Sequence, residues 1–174
     1  MAASRINEGP SFQDQTVFLF SGPDVLPMSA LDRLFVMAEE KEFSETSMIR
    51  VAIAEDHAEM RVALRLLLSL AKNMRLICEA SNGREAVDCV QRLHPDVLVM
   101  DIRMPELNGL DAAKQVLALT PQTRVILISS NRGGYMVRQA VHIGAQGFVP
   151  KDHVAEFLRT AIEAVHRGET FFME

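Results

Sequence analysis

Five residues of this sequence have the types and the spacing to do chemistry. Glu55 and Asp56 follow the apolar run 51–54, Asp101 follows the run 97–100, Ser129 follows 125–128, and Lys151 follows Phe148, Val149 and Pro150. Clustered carboxylates repel one another unless a cation joins them, and an all-oxygen set with positions left for water suits Mg²⁺ better than zinc. Asp56 and Asp101 are the expected direct ligands. A magnesium-bound carboxylate beside an ammonium and a hydroxyl can accept a phosphoryl group, because the cations neutralise its oxygens during in-line displacement. The expected product is an aspartyl phosphate.

Such residues, 45, 28 and 22 positions apart from Asp56 to Lys151, meet only if the chain brings its strand ends together. Five short apolar runs, at 51–54, 75–80, 97–100, 125–128 and 148–149, read as strands. The near-continuous apolarity of 97–100 and 125–128 implies burial on both faces, as in a parallel sheet between helices. Met60, Leu64, Leu67 and Ala71 recur at helical spacing, with Arg61, Arg65 and Lys72 on another face. Further helices fit 84–93, 110–119, 135–143 and 154–166, with Pro95, Pro121, Gly144 and Gly168 punctuating their ends. The class is therefore α/β, with five strand–helix units. In such sheets ligands bind outside the carboxyl ends of the strands, where the strand order reverses. That rule gathers the acids, the hydroxyl and the ammonium on one edge.

Composition narrows the function. A chain of 174 residues, 48% apolar, fits one domain or one domain with an appendage. Eighteen basic against twenty-three acidic side chains leave no cationic surplus for gripping nucleic acid. The acidity is concentrated in 1–47, where Arg5, Arg33 and Lys41 face eight acids. That stretch, with one amphipathic helix at 29–41, reads as an N-terminal extension over 1–48. No run approaches the roughly 18 apolar residues of a membrane span, and no leader pattern opens the chain. Cys78 and Cys89, eleven positions apart in apolar surroundings, are expected to be buried free thiols in a reducing compartment. Together these readings point to a cytoplasmic protein with no membrane partner.

The motifs Ala54-Glu55-Asp56-His57, Asp101-Ile102-Arg103-Met104-Pro105 with Gly109-Leu110, Ile128-Ser129-Ser130, and the run from Gly144 through Phe148, Pro150 and Lys151 to Asp152 occur together. In this combination the sequence resembles the response-regulator receiver domain of two-component signalling, particularly its LuxR-type (NarL/FixJ) branch, over 49–172. The resemblance implies a CheY-like, doubly wound, five-stranded parallel sheet of order 2-1-3-4-5 with an N-terminal appendage. It makes Asp101 the phosphoacceptor that takes a phosphoryl group from a sensor histidine kinase. It implies Mg²⁺ bound directly by Asp56, through water by Glu55, and by the backbone carbonyl of Arg103. Ser129 and Lys151 would contact the phosphoryl oxygens, and Phe148 matches the switch aromatic, whose inward rotation accompanies movement of Ser129. Three departures stand out: Glu55 replaces the commoner aspartate, Ser129 replaces a threonine, and Pro150 precedes Lys151 instead of following it.

Each residue also has a plainer reading. Asp101 and Lys151 could be solvated charges, Glu55 and Asp56 caps of the following helix, Ser129 a partner for a backbone group, and Phe148 simple core. His57 reads as a surface or capping residue. Arg103 and Asn131, each two positions beyond a site residue, are either solvated or tune water access to an acyl phosphate. Many LuxR-type relatives continue into a helix-turn-helix, whereas only five residues follow Glu169 here. The expectation is output through a homodimer or a downstream protein partner, without direct DNA binding and without enzymatic turnover. Three alternatives are kept: a truncated LuxR-type regulator, a phosphorylation-independent pseudo-receiver, and an aspartyl-nucleophile phosphohydrolase. The last is disfavoured because haloacid-dehalogenase-like enzymes carry an acid where this sequence has Arg103.

Overall fold

The computed structural model describes residues 48–131 and 133–173. The helix expected at 29–41 and the rest of the extension lie outside the described residues. The elements run β1 (Ile49–Ala54), α1 (Ala58–Ser69), β2 (Met74–Ala80), α2 (Gly83–Leu93), β3 (Val97–Asp101), α3 (Gly109–Leu119), β4 (Arg124–Ser129), α4 (Gly134–His142), β5 (Gly147–Pro150), a 3₁₀ turn (Lys151–His153), α5 (Val154–His166) and β6 (Phe171–Phe172).

All neighbouring strands are parallel and their order is β2-β1-β3-β4-β5-β6. The five expected strands occur in the expected order, and a sixth is added. Phe171 donates its N–H to the Gln146 carbonyl and Met173 donates to that of Phe148, at 2.9 and 3.0 Å. This pairing is carried by the main chain over two residues, too short a stretch for hydrophobic periodicity to announce.

Strand geometry sends successive side chains to opposite faces, and the core divides accordingly. Ile49, Val51 and Ile53 of β1, with Val97, Val99, Ile126 and Ile128, pack against Leu64 and Leu68 of α1 and Leu158, Ile162 and Val165 of α5. Ala52, Ala54, Leu98, Met100, Leu127 and Phe148 point the other way, against Val87 and Val90 of α2, Ala112 and Val116 of α3, and Ala140 of α4. The sheet is thus wound on both sides, and the order in which strands are added reverses between β1 and β3. The carboxyl ends of these two neighbouring strands open onto a common crevice.

Two sequence expectations need correction. Cys78 and Cys89 are not free thiols: they form a disulfide, because packing of α2 on β2 brings their Cα atoms to 6.6 Å, a span that a disulfide bridges. The argument for a reducing compartment from free thiols falls away with it. Glu55 and Asp56 do not cap α1 in the usual manner either. His57 occupies the N-cap position without a side-chain cap bond, and Glu55 Oε1 accepts instead from the His57 backbone N–H at 3.2 Å. The Val149–Pro150 bond is trans, as are all peptide bonds among the described residues.

Candidate functional site

The β1–α1 loop supplies the acids. Ala54 pairs with Ala80 on one side and Met100 on the other, and the Glu55 N–H donates to the Ala80 carbonyl at 3.0 Å. Glu55 is thereby fixed with its side chain fully buried, whereas that of Asp56 is 28% exposed. Arg61, one turn into α1, folds back over the loop and donates from Nη1 to the Glu55 carbonyl at 2.6 Å and to that of Asp56 at 3.4 Å. Its fixed charge holds the acids' backbone in place.

Asp101 ends β3, paired with Ile128, and is buried. Its main chain is fixed by a close approach: the N–H of Gly109 donates to the Ile102 carbonyl at 2.8 Å, and a Cβ at Gly109 would lie 2.0 Å from the Asp101 carbonyl oxygen. Only glycine leaves that space open. This is the physical reason for a glycine eight positions after the acid.

Lys151 enters from the other end of the crevice. Its Nζ is 2.9 Å from Asp101 Oδ2 and 2.9 Å from Glu55 Oε1, and 2.7 Å from Glu55 Oε2. Burial disfavours its charge, but the bonds to Glu55 and then to Asp101 outweigh burial and hold its pKa above the ordinary lysine range. It is an ammonium at any physiological pH.

Ser129 is buried at the end of β4, next to Asp101's pairing partner, and its hydroxyl accepts from the Asn131 N–H at 3.1 Å. Asn131 Oδ1 in turn accepts from Arg103 Nη2 at 2.8 Å. The two residues placed two positions beyond Asp101 and Ser129 therefore clasp one another over the β3–α3 and β4–α4 loops. Phe148 is fully buried in the core face shared with Leu127 and Ala140. Its ring already points inward.

His57, expected as a surface or capping residue, is the exposed N-cap of α1 and also stands beside the acids. Its Nδ1 lies 3.1 Å from Glu55 Oε1 and 2.8 Å from Asp56 Oδ1. The bond to Glu55, followed by the charge of Asp56, raises its pKa above the usual imidazole value. Arg61, on the helix face away from the apolar stripe, also reaches the site. A histidine directly after two acids, and an arginine within one turn of them, were the available signals.

The donor set fits a hard divalent cation. Ligand atoms of Glu55, Asp56, His57 and Asp101 lie within 4.8 Å of one another. Glu55 Oε2 is met by Lys151 Nζ at 2.7 Å and Asp56 Oδ1 by His57 Nδ1 at 2.8 Å, and each carboxylate oxygen keeps a further lone pair that a cation can take.

A parallel, doubly wound sheet with an acid pocket and a lysine at its carboxyl edge defines a class of signalling module, and sequence comparison identifies it. Residues 51–163 match the response regulator receiver domain, and the chain belongs to that family. It is 33% identical over 121 residues to the transcriptional regulatory protein LnrK of Bacillus subtilis, covering 70% of this chain and 55% of that protein. It is 40% identical over 102 residues to the chemotaxis protein CheY of Thermotoga maritima, covering 59% of this chain and 84% of that one. The signal receiver domain of the putative response regulator NarL from Mycobacterium tuberculosis superposes with a TM-score of 0.68 at 32% identity, over 71% of this chain and 99% of that domain. The chain spans little more than half the length of the transcriptional regulators it matches.

Proposed function

We propose that residues 49–172 form a phosphoacceptor receiver that takes a phosphoryl group from a sensor histidine kinase onto Asp101, with residues 1–48 as an extension. The observation that carries this reading is the convergence of Asp101 with Lys151 at 2.9 Å and with the carboxylates of Glu55 and Asp56. A carboxylate oxygen of Asp101 forms the new O–P bond as the bond from phosphorus to the donor nitrogen breaks. Lys151, permanently charged, neutralises a phosphoryl oxygen as charge develops, and the Ser129 hydroxyl donates to another. Mg²⁺ held by Asp56, Asp101 and the Arg103 carbonyl, and by Glu55 through water, would supply further neutralisation when bound.

The module signals rather than turns over substrate: it changes the surface it offers to a downstream protein or a second copy. In this reading Ser129 moves toward the new phosphoryl group, and the Phe148 ring, already inward, is in place for that movement. Protein partners are supported by Val62, Leu66 and Leu70, exposed at four-residue spacing along and just beyond α1, the helix that leaves the acid loop. A cytoplasmic setting accords with a kinase donor, and no helix among the described residues is long and apolar enough to cross a membrane.

The test is intact mass with Mg²⁺ and a small phosphodonor, together with partner pull-down. The expected result is a gain of one phosphoryl group, lost in Asp101→Asn, and partner capture that depends on it. A pseudo-receiver would capture its partner equally well as Asp101→Ala, and multiple turnover of phosphate esters would revive the phosphohydrolase.

A further inference from the structure

His57 has no role in the phosphoryl chemistry above, yet its ring stands among the acids. Nδ1 is 2.8 Å from Asp56 Oδ1 and 3.1 Å from Glu55 Oε1, and one ligand atom from each of Glu55, Asp56, His57 and Asp101 falls inside a 4.8 Å span. Donors on opposite sides of one ion, each about 2.1 Å away, are about 4.2 Å apart. The acids and the ring thus lie within reach of a single ion, Glu55 through its water, and one of the donors is nitrogen.

Resting on the metal site proposed above, we infer that His57 is a fourth protein ligand, which biases this pocket toward first-row transition ions over Mg²⁺. Magnesium is a hard ion that keeps its water and takes oxygen donors, and gains little from imidazole. Ions from manganese to zinc accept imidazole nitrogen, with affinity rising along the row. The position supports the assignment. His57 is the N-cap of α1, so its backbone is held by the same loop that fixes Glu55 and Asp56, and the side chain needs only rotamer adjustment to ligate. Ligation through Nδ1 requires the ring proton on Nε2 alone. The side chain is 67% exposed, so a second proton leaves to water as the ion enters. The ion then takes the place of the direct contact between the His57 ring and Asp56 Oδ1, which are 2.8 Å apart in its absence.

The consequence is a receiver whose pocket discriminates between divalent ions through one residue adjacent to the acids. The experiment uses the full chain and two probe ions, Mg²⁺ and Co²⁺, with calorimetric titration and the visible absorption of bound Co²⁺, which reports nitrogen ligation independently of phosphorylation. The expected result is that His57→Ala and His57→Gln lower Co²⁺ affinity at least about tenfold more than Mg²⁺ affinity, and that the Co²⁺ spectrum shifts toward that of an all-oxygen site. Asp56→Asn should weaken both ions, which locates the Co²⁺ in this pocket and not on His94, His142, His153 or His166. An unchanged Co²⁺ to Mg²⁺ ratio and spectrum in both His57 variants overturns the inference while leaving the receiver reading intact. Failure of the unmodified chain to bind either ion overturns both.

Discussion

The crevice is walled by two halves of different make. On the β1–α1 side, Lys151 pairs with the buried Glu55 carboxylate, Arg61 donates to the Glu55 backbone carbonyl, and α5, which follows Lys151, buries six residues against the sheet. On the β4–α4 side, Ser129 leads into exposed Asn131 and then Gly133, and α4 buries only Ala140. The helices differ at their starts as well. Asn82 and Asn108 accept backbone bonds at the N-caps of α2 and α3, whereas α4 begins at Gly133, with φ +110° and no side-chain cap. Local opening is easiest where few apolar contacts hold an element. The site therefore has one wall packed firmly behind the acids and one held by fewer apolar contacts, the contrast on which the proposed switch would draw.

The largest effect should separate the walls directly. Leu158→Ala, in the buried face of α5, is expected to cost about 3 kcal/mol. Met136→Ala, half-buried on α4, should cost about 1 kcal/mol. Urea unfolding measures both, and amide exchange should show α4 opening well below the global unfolding free energy while α5 opens with it. Equal costs and equal protection would remove the contrast.

Next comes Gly109→Ala. A methyl group 2.0 Å from the Asp101 carbonyl forces that strand end to shift, at an expected cost of about 2 to 3 kcal/mol. Because Asp101 moves with its backbone, phosphorylation should fall more than stability alone explains. Comparing intact-mass phosphorylation with the folded fraction in the same sample checks this. A variant of normal stability and normal phosphorylation would show that the acid wall tolerates displacement.

Arg61→Ala follows, at about 1.5 kcal/mol for a charge-assisted bond to the Glu55 carbonyl that is only partly screened. It tests whether the acid loop is held by this arginine. The expected signature is a Mg²⁺ affinity reduced severalfold with Arg61→Ala and largely retained with Arg61→Lys. An identical loss in both variants would assign the effect to the side chain's fork geometry instead of its charge.

How far the molecule could be read from its sequence follows the same physics. The strands at 97–100 and 125–128 were legible because burial on both faces demands an uninterrupted apolar run, and the helices because one face is sealed and the other wet. β6 was not, since two phenylalanines carry no period. Asp101, Lys151 and the acids were placed on one edge by the rule for parallel sheets, and all meet there. The place of His57 at the helix start was legible, but its contact with the acids was not, because a lone histidine's neighbours depend on rotamer and loop path; nor was the reach of the Arg61 side chain to the Glu55 carbonyl. The Cys78–Cys89 contact depended on the distance between a strand and a helix, which no spacing along the chain encodes.

The smallest expected effect concerns how the other face of the sheet is held. Ser81 donates its N–H and its hydroxyl to Glu85 Oε2 at 2.8 and 2.9 Å, while the Glu85 N–H donates to Asn82 Oδ1 at 2.8 Å. These bonds, led by the backbone one from Ser81, hold the Glu85 pKa below the ordinary 4.5 of a glutamate. A carboxyl whose folded pKa is depressed adds stability that is complete above its unfolded pKa and disappears as the pH falls through its folded pKa. Glu85→Gln should therefore be less stable at neutral pH by about 0.5 kcal/mol, since an exposed acid is screened. The difference from the unmodified chain should close as the pH drops below about 4.5. Asp111 and Glu163, also held low by their partners, keep the remaining acid dependence in both proteins. Paired urea titrations at neutral pH and at pH values below the ordinary glutamate range resolve this. A gap that stays constant across them would mean that the Glu85 charge contributes nothing and that the substitution acts through side-chain hydrogen bonding alone.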